Sequence, residues 1–463
     1  MLLALAVHWA ASVESVAFGE GTAGSLKSAA AKLEELLGQQ ESRAESIAEL
    51  LWGRHSATRG ASPACGAAAA SALLQALHGR DVLRGLAEAK VSSAAAFEWQ
   101  RQLRMRWDAD AGVASVALLD WSVAYGCEYV GAAPRLVLTP ETDRSYLVLA
   151  SALRTGGASA VGLLGPSGAG KAETVRALAD SAAVPLFTLA ASAEGAEVAQ
   201  LALCGLAGVG AWGLGVLRGS CAHSDPASDL WGAAALATLA QSLHVMLEAY
   251  RAGSTDLELG THMVALGQRP AAVFVSLRPS CPGQLPSDRS RWPACLGVAL
   301  RPLSVTPAPP AKVAEALLMT LGFAPDVAGP LSKQLACFLE MLPSLLAEGH
   351  VAMPGGCSLR AVHKAVLQAG QAFQAELGPD AILAAALQSI LESAGVCVDE
   401  KRLPVLEDAL LDFLPRSSME ARSELAQLAC RPSALATGAQ RDISVELNCE
   451  VRACLLEEGL AAG

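Results

Sequence analysis

The sequence predicts an α/β fold in which a parallel sheet is covered by helices, with a helical segment before it and an all-α lobe after it. Three observations carry this. From about residue 130 to 277, short apolar runs bounded by Gly, Pro or Ser alternate with helical patterns. The first hundred residues and residues 311–415 place apolar side chains at helical spacing. The composition is 52% hydrophobic but only 4% aromatic, so helices packed through alanine and leucine are expected.

Residues 24–50, "GSLKSAAAKLEELLGQQESRAESIAEL", open the helical segment, which continues over 64–107 through "ALHGRDVLRGLAEAKV" and "FEWQRQLRMRW". The runs "PRLVLTP", "SAVGLLG", "VPLFTL", "GAWGLGVL" and "AAVFVSL" read as strands, with helices over 171–182 and 227–251 between them. Residues 278–310 are dense in proline and end in a linker. Five helical units from "KVAEALLMTLGF" to "LPVLEDALLDFLP" then form a separate lobe, and the final 48 residues are too short for a domain of their own.

Charge and cysteines narrow the classes. A net charge of −11, with no basic run of five residues, excludes a nucleic-acid partner. The twelve cysteines contain no C-x-x-C pair, which points to reduced thiols rather than a zinc site or a disulfide framework. No membrane partner is expected either. The N-terminal "MLLALAVHWAASVESVAF" lacks the basic start of a signal peptide, and His8 breaks its apolar run. Residues 198–217 are uncharged between Glu197 and Arg218, but five glycines punctuate them, so a buried helix followed by a buried strand is predicted.

The candidate site lies in "SAVGLLGPSGAGKAETVRALAD", residues 159–180. Gly165, Pro166, Ser167, Gly168, Ala169, Gly170 and Lys171 match a phosphate-binding P-loop set between a strand and a helix. Glycines let successive N–H groups turn toward phosphate oxygens, the helix N-terminus adds its positive end, and lysine reaches the β- and γ-phosphates. Ala172 stands where a serine or threonine holds Mg²⁺, and a methyl group offers a hard cation no oxygen. Thr174 lies two residues on, roughly 200° round the helix, and is a poor substitute.

The stretch G-P-S-G-A-G-K-A-E-T is similar to the G-P-A-G-T-G-K-T-E-T loop of the first AAA+ module of dynein heavy chains. Further stretches agree in order. "FEWQRQLRMRWDAD", "YGCEYVGAAPRLVLTPETDRSY", "GLAGVGAW" and "SLRAVHKAVLQAG" resemble family segments, and "HWAASVESVA" and "GRDVLRGLAEAKVSS" resemble the end of the dynein linker. The resemblance runs over residues 8–415. It implies an AAA+ P-loop fold with the helical end of a linker over 1–117, a large α/β subdomain over 118–310, a small helical subdomain over 311–415, and the start of a second module or a tail over 416–463. It also implies ATP or ADP as ligand, other dynein modules or chains and, through them, microtubules as partners, and a place in the cytoplasm, cytoskeleton or ciliary axoneme.

Carried over residue by residue, the resemblance assigns nucleotide contacts to 165–174, including Glu173, places Val137 and Leu138 beside the adenine, and sets Arg360 at the γ-phosphate. It also exposes losses. Val216 and Leu217 occupy the acidic-pair positions, and neither side chain accepts a proton or ligates a metal. Arg278 replaces the asparagine that orients water; it is a longer, donor-only cation. Arg301 resembles the arginine that the family offers toward a neighbouring module. Losing such groups costs about 10²–10³-fold in rate each. Three readings follow: a fragment of a motor ATPase, a non-catalytic AAA+ module acting in structure or interaction, or a decayed gene copy.

Overall fold

The computed structural model describes residues 2–18, 26–52, 63–128, 135–154, 159–166, 168–190, 196–217, 233–267, 269–277, 297, 299–346, 359–394, 408, 410 and 413. Helix α1 (Leu2–Ser12) runs into a π-helical turn over Val13–Ala17, and α2 (Leu26–Trp52) packs on α3 (Pro63–Glu88). The reason is legible in α2, where Ala29, Leu33, Leu36, Gln40, Ala44, Ala48 and Leu51 recur every three or four residues and all are buried.

A short helix α4 (Phe97–Gln100) leads into an antiparallel three-stranded meander of β1 (Arg104–Asp108), β2 (Val113–Leu118) and β3 (Trp121–Ala124). Its first turn is shaped by Asp108, whose carboxylate accepts the N–H groups of Asp110 and Ala111 at 3.0 Å each. This sheet is absent from the sequence-based expectation of helix up to residue 107. Its apolar face, Met105, Val116, Leu118 and Trp121, joins the core beneath the main sheet.

The main sheet is built from β4 (Ser159–Leu164), β5 (Leu186–Ala190), β6 (Trp212–Leu217), β9 (Ala272–Leu277) and β10 (Arg301–Ser304), in the order β10-β4-β9-β6-β5 with every pairing parallel. Helices α5 (Pro140–Leu153), α6 (Lys171–Ala182), α7 (Ala196–Val209) and α8 (Ala233–Ala252) cover it. Strand alternation sorts the core into two layers. Val161, Leu163, Leu214 and Phe274 enter the layer under α5 and α6, whereas Ala160, Val273 and Val275 enter the layer under α7 and α8. A hairpin of β7 (Asp256–Leu259) and β8 (His262–Ala265), closed by Gly260 at φ +62°, lies against α7.

Residues 198–217 form α7 and then β6, so the uncharged run divides at Gly210, where φ is +68°. Among the described residues, no helix is long and apolar enough to cross a membrane. Two expectations are corrected. "PRLVLTP" is not a strand, because residues 135–139 carry no regular structure and lead straight into α5, where Pro140 suits a first helical turn. The proline-dense region contributes β10, which the linker reading missed because its proline occupies the outer edge of the sheet, where one missing donor is tolerated.

Helices α9 (Pro310–Thr320), α10 (Pro325–Leu346), α11 (Leu359–Gln374) and α12 (Pro379–Ala394) follow. Their shared core also takes in Ala44, Ala48 and Leu51 of α2 and Leu73, Ala76 and Leu77 of α3. The C-terminal helices are therefore continuous in packing with the N-terminal ones. Lys312 of α9 reinforces the junction through an ion pair with Asp81 of α3 at 2.8 Å.

Candidate functional site

β4 ends at Leu164, and the chain turns through a glycine-rich loop before α6 begins at Lys171. The turn is possible because φ is +151° at Gly165, +77° at Gly168 and +86° at Gly170, values that disfavour any residue with a Cβ. Gly165 is also confined, since a Cβ there would stand 2.5 Å from the carbonyl oxygen of Val305 just beyond β10. Ser167 lies outside the described residues. The first N–H groups of a helix have no partner within it, so the start of α6 turns donors and the positive end of its dipole toward the loop.

Lys171 is buried, and its Nζ donates to the carbonyl oxygens of Gly165 and Pro166 at 2.7 Å each. The ammonium is thus held inside the loop. Ala172 is half-buried and packs against the core under β4. Glu173 is exposed and paired with Arg176 one turn on. Thr174 is buried, and its hydroxyl donates to the Gly170 carbonyl at 2.9 Å, so the loop's own backbone engages it. Ala172 offers a hard cation no oxygen, and among the described residues no group of three His, Cys, Asp or Glu could hold a metal.

The carboxyl ends of three strands meet at the loop. Strand β9 is registered with both neighbours, so Ser276 is opposite Leu163 on one side and Val216 on the other, and Leu217 is opposite Leu277. Val216 and Leu217 therefore end β6 along the same edge that Gly165 leaves, at the kind of crevice where open α/β sheets bind ligands. Their side chains and the whole of Arg278 lie outside the described residues.

Val137 and Leu138 are half-buried in the irregular approach to α5, with Leu138 against the core shared by β4 and α6. Arg135 precedes them. Burial pulls its guanidinium below the ordinary arginine value, while Tyr146, Tyr125 and the Asp180 carboxylate of α6 act in the opposite sense. Burial also raises the Asp180 carboxyl, against the neighbouring Arg176.

Arg360 is exposed in the first turn of α11, which begins at the loop: the Leu359 N–H donates to the Gly168 carbonyl at 3.3 Å. Arg301 sits elsewhere, at the start of β10, where its Nη2 donates to Ser151 Oγ of α5 at 3.1 Å. The residue is exposed there. Sequence reasoning also missed Leu359 and Val305, the two residues that hold the loop from outside. Neither carries a chemical signal, and only long-range register reveals them.

A parallel sheet of this order, with a glycine loop leaving an inner strand, β4, between β10 and β9, and a helical group closing on that loop, defines an AAA+ α/β module. The family model for the hydrolytic ATP binding site of the dynein motor region matches residues 125–431. The chain belongs to this dynein motor family. It is 30% identical over 370 residues to human dynein axonemal heavy chain 6, covering 74% of this chain and 8% of that protein. It is 28% identical over 362 residues to the flagellar outer arm dynein beta chain of Chlamydomonas reinhardtii, covering 76% of this chain and 7% of that one. The chain thus spans less than a tenth of the length of these relatives.

Proposed function

We propose that this chain is a dynein-type ATP-binding module that retains nucleotide but hydrolyses it poorly or not at all. The observation that carries the reading is the loop itself, with Gly168 and Gly170 in left-handed backbone and Lys171 inside it, followed by Ala172 where a metal-ligating hydroxyl belongs. In this reading Lys171 exchanges the Gly165 and Pro166 carbonyls for phosphate oxygens, residues 165–174 line the phosphates, Val137 and Leu138 flank the base, and Arg360 meets the γ-phosphate. Hydrolysis lacks its groups at Val216, Leu217 and Arg278, since aliphatic side chains activate no water and a guanidinium, being donor-only, offers it no acceptor.

The organisation proposed with it keeps 1–117 as a linker end, 118–310 as the large subdomain, 311–415 as the small one and 416–463 as the start of a further module or a tail. Partners are other dynein modules or chains and, through them, microtubules. The axonemal and flagellar names of the relatives support a ciliary, cytoskeletal setting.

The test is equilibrium binding of a fluorescent ATP analogue to the whole chain, followed by phosphate release. Micromolar affinity that falls about 10- to 100-fold in Lys171→Ala, without phosphate release, is expected from losing a charged donor to phosphate. Metal-dependent turnover overturns the impaired-hydrolysis reading. Absence of binding in the unsubstituted chain leaves a purely structural module.

A further inference from the structure

We infer that Leu359 is a positioning residue: it clasps α11 to the glycine loop and so sets where Arg360 stands relative to bound phosphate, an inference that rests on the nucleotide-binding reading. Two independent contacts at one residue support it. The Leu359 N–H, which as the first of its helix has no intrahelical acceptor, donates to the Gly168 carbonyl at 3.3 Å. Its Cδ1 stands over Gly170, 3.9 Å from where a Cβ would project. Gly168 and Gly170 are the two residues whose left-handed backbone shapes the end of the loop. One leucine thus holds both from outside.

The rest of α11 cannot easily give way. Ala361, Val362, Ala365, Val366, Ala369 and Ala372 are buried in the core shared by α9–α12, α2 and α3. A helix anchored along its length by packing has its N-terminus fixed to within the slack of its last contact, and that contact is Leu359 on Gly168. Arg360 is the next residue, exposed, on the same first turn. Its reach toward a γ-phosphate is therefore set by the clasp, while ADP, which lacks that phosphate, feels the clasp only through the shared loop.

Two variants separate the contacts. Leu359→Pro deletes the N–H at the one helical position where proline is well tolerated, and Leu359→Ala keeps the N–H but removes the side chain over Gly170. Both are compared with Arg360→Ala and with the double variants, by ATP and ADP affinity and by hydrogen-exchange mass spectrometry of peptides spanning the loop and the start of α6. The expected result is a loss of ATP affinity of about 3- to 10-fold, with a clearly smaller loss for ADP, which shares the loop but not the γ-phosphate. The excess loss for ATP should vanish in the Arg360→Ala background, and loop exchange should accelerate. Equal weakening of ATP and ADP with a lowered Tm means a merely structural role and overturns the inference, as does unchanged loop exchange in both variants. If the unsubstituted chain binds neither nucleotide, the functional reading fails, and loop exchange alone then decides whether the clasp exists.

Discussion

Gly165 passes so close to Val305 that a methyl group on its α-carbon would lie 2.5 Å from the Val305 carbonyl oxygen. The contact joins the start of the loop to the segment after β10, where the Val305 N–H in turn donates to Leu164 at 2.7 Å. Gly165→Ala must therefore displace either the loop or the end of β10, in addition to straining a φ of +151°. The expected cost is about 2–3 kcal/mol, read from the urea midpoint, with nucleotide affinity falling alongside.

Ala172→Ser places a hydroxyl at the first turn of α6, at a half-buried position. ATP binding should then become Mg²⁺-dependent, tightening about tenfold on adding the metal, while phosphate release stays at background because Val216 and Leu217 are unchanged. Calorimetric titration with and without a chelator checks this.

Glu14 in the π-helical turn accepts from Trp99 Nε1 at 3.1 Å and Arg106 Nη2 at 3.0 Å, and lies 3.7 Å from the fully buried Arg104. Removing it strands the Arg104 guanidinium without a counter-charge. Since Glu14 keeps 30% of its side chain in solvent, Glu14→Ala should cost about 1–3 kcal/mol, below the range for a wholly buried pair. Thermal and urea unfolding measure it.

His78 of α3 gives a pH dependence with a definite sign. Burial holds its imidazole below the ordinary 6.5; Asp143 of α5 and Asp81 oppose this, while Lys312 of α9 and Arg135 add to it. A depressed folded value means that the neutral ring's contribution is present above pH 6.5 and is lost as pH falls through the folded value. His78→Gln, which cannot take up a proton, should flatten the decline in stability below pH 6.5. Urea midpoints across that range compare the two proteins.

Much of the site could be read directly, because its signals are local. Glycines at 165, 168 and 170 mark backbone that other residues avoid, and Lys171 follows at a fixed offset. The strand before and the helix after carry their periodicity over a few residues each. The meander over 104–124 and the hairpin over 256–265 were illegible because their strands are only four to six residues long and sit among helical patterns. The misread "PRLVLTP" has strand composition, yet among the described residues 135–139 pair with no strand.

The sequence by itself determined the α/β class, the glycine loop and the missing oxygen at Ala172, since dihedral preference and side-chain chemistry belong to single residues and short windows. Tertiary structure alone decided that Leu359 closes on Gly168, that Arg301 turns to Ser151, and that α2 and α3 share one core with α9–α12. Those contacts join segments far apart in the chain. They depend on how apolar faces of similar composition choose among one another, and that choice is made by shape and packing density across the whole molecule.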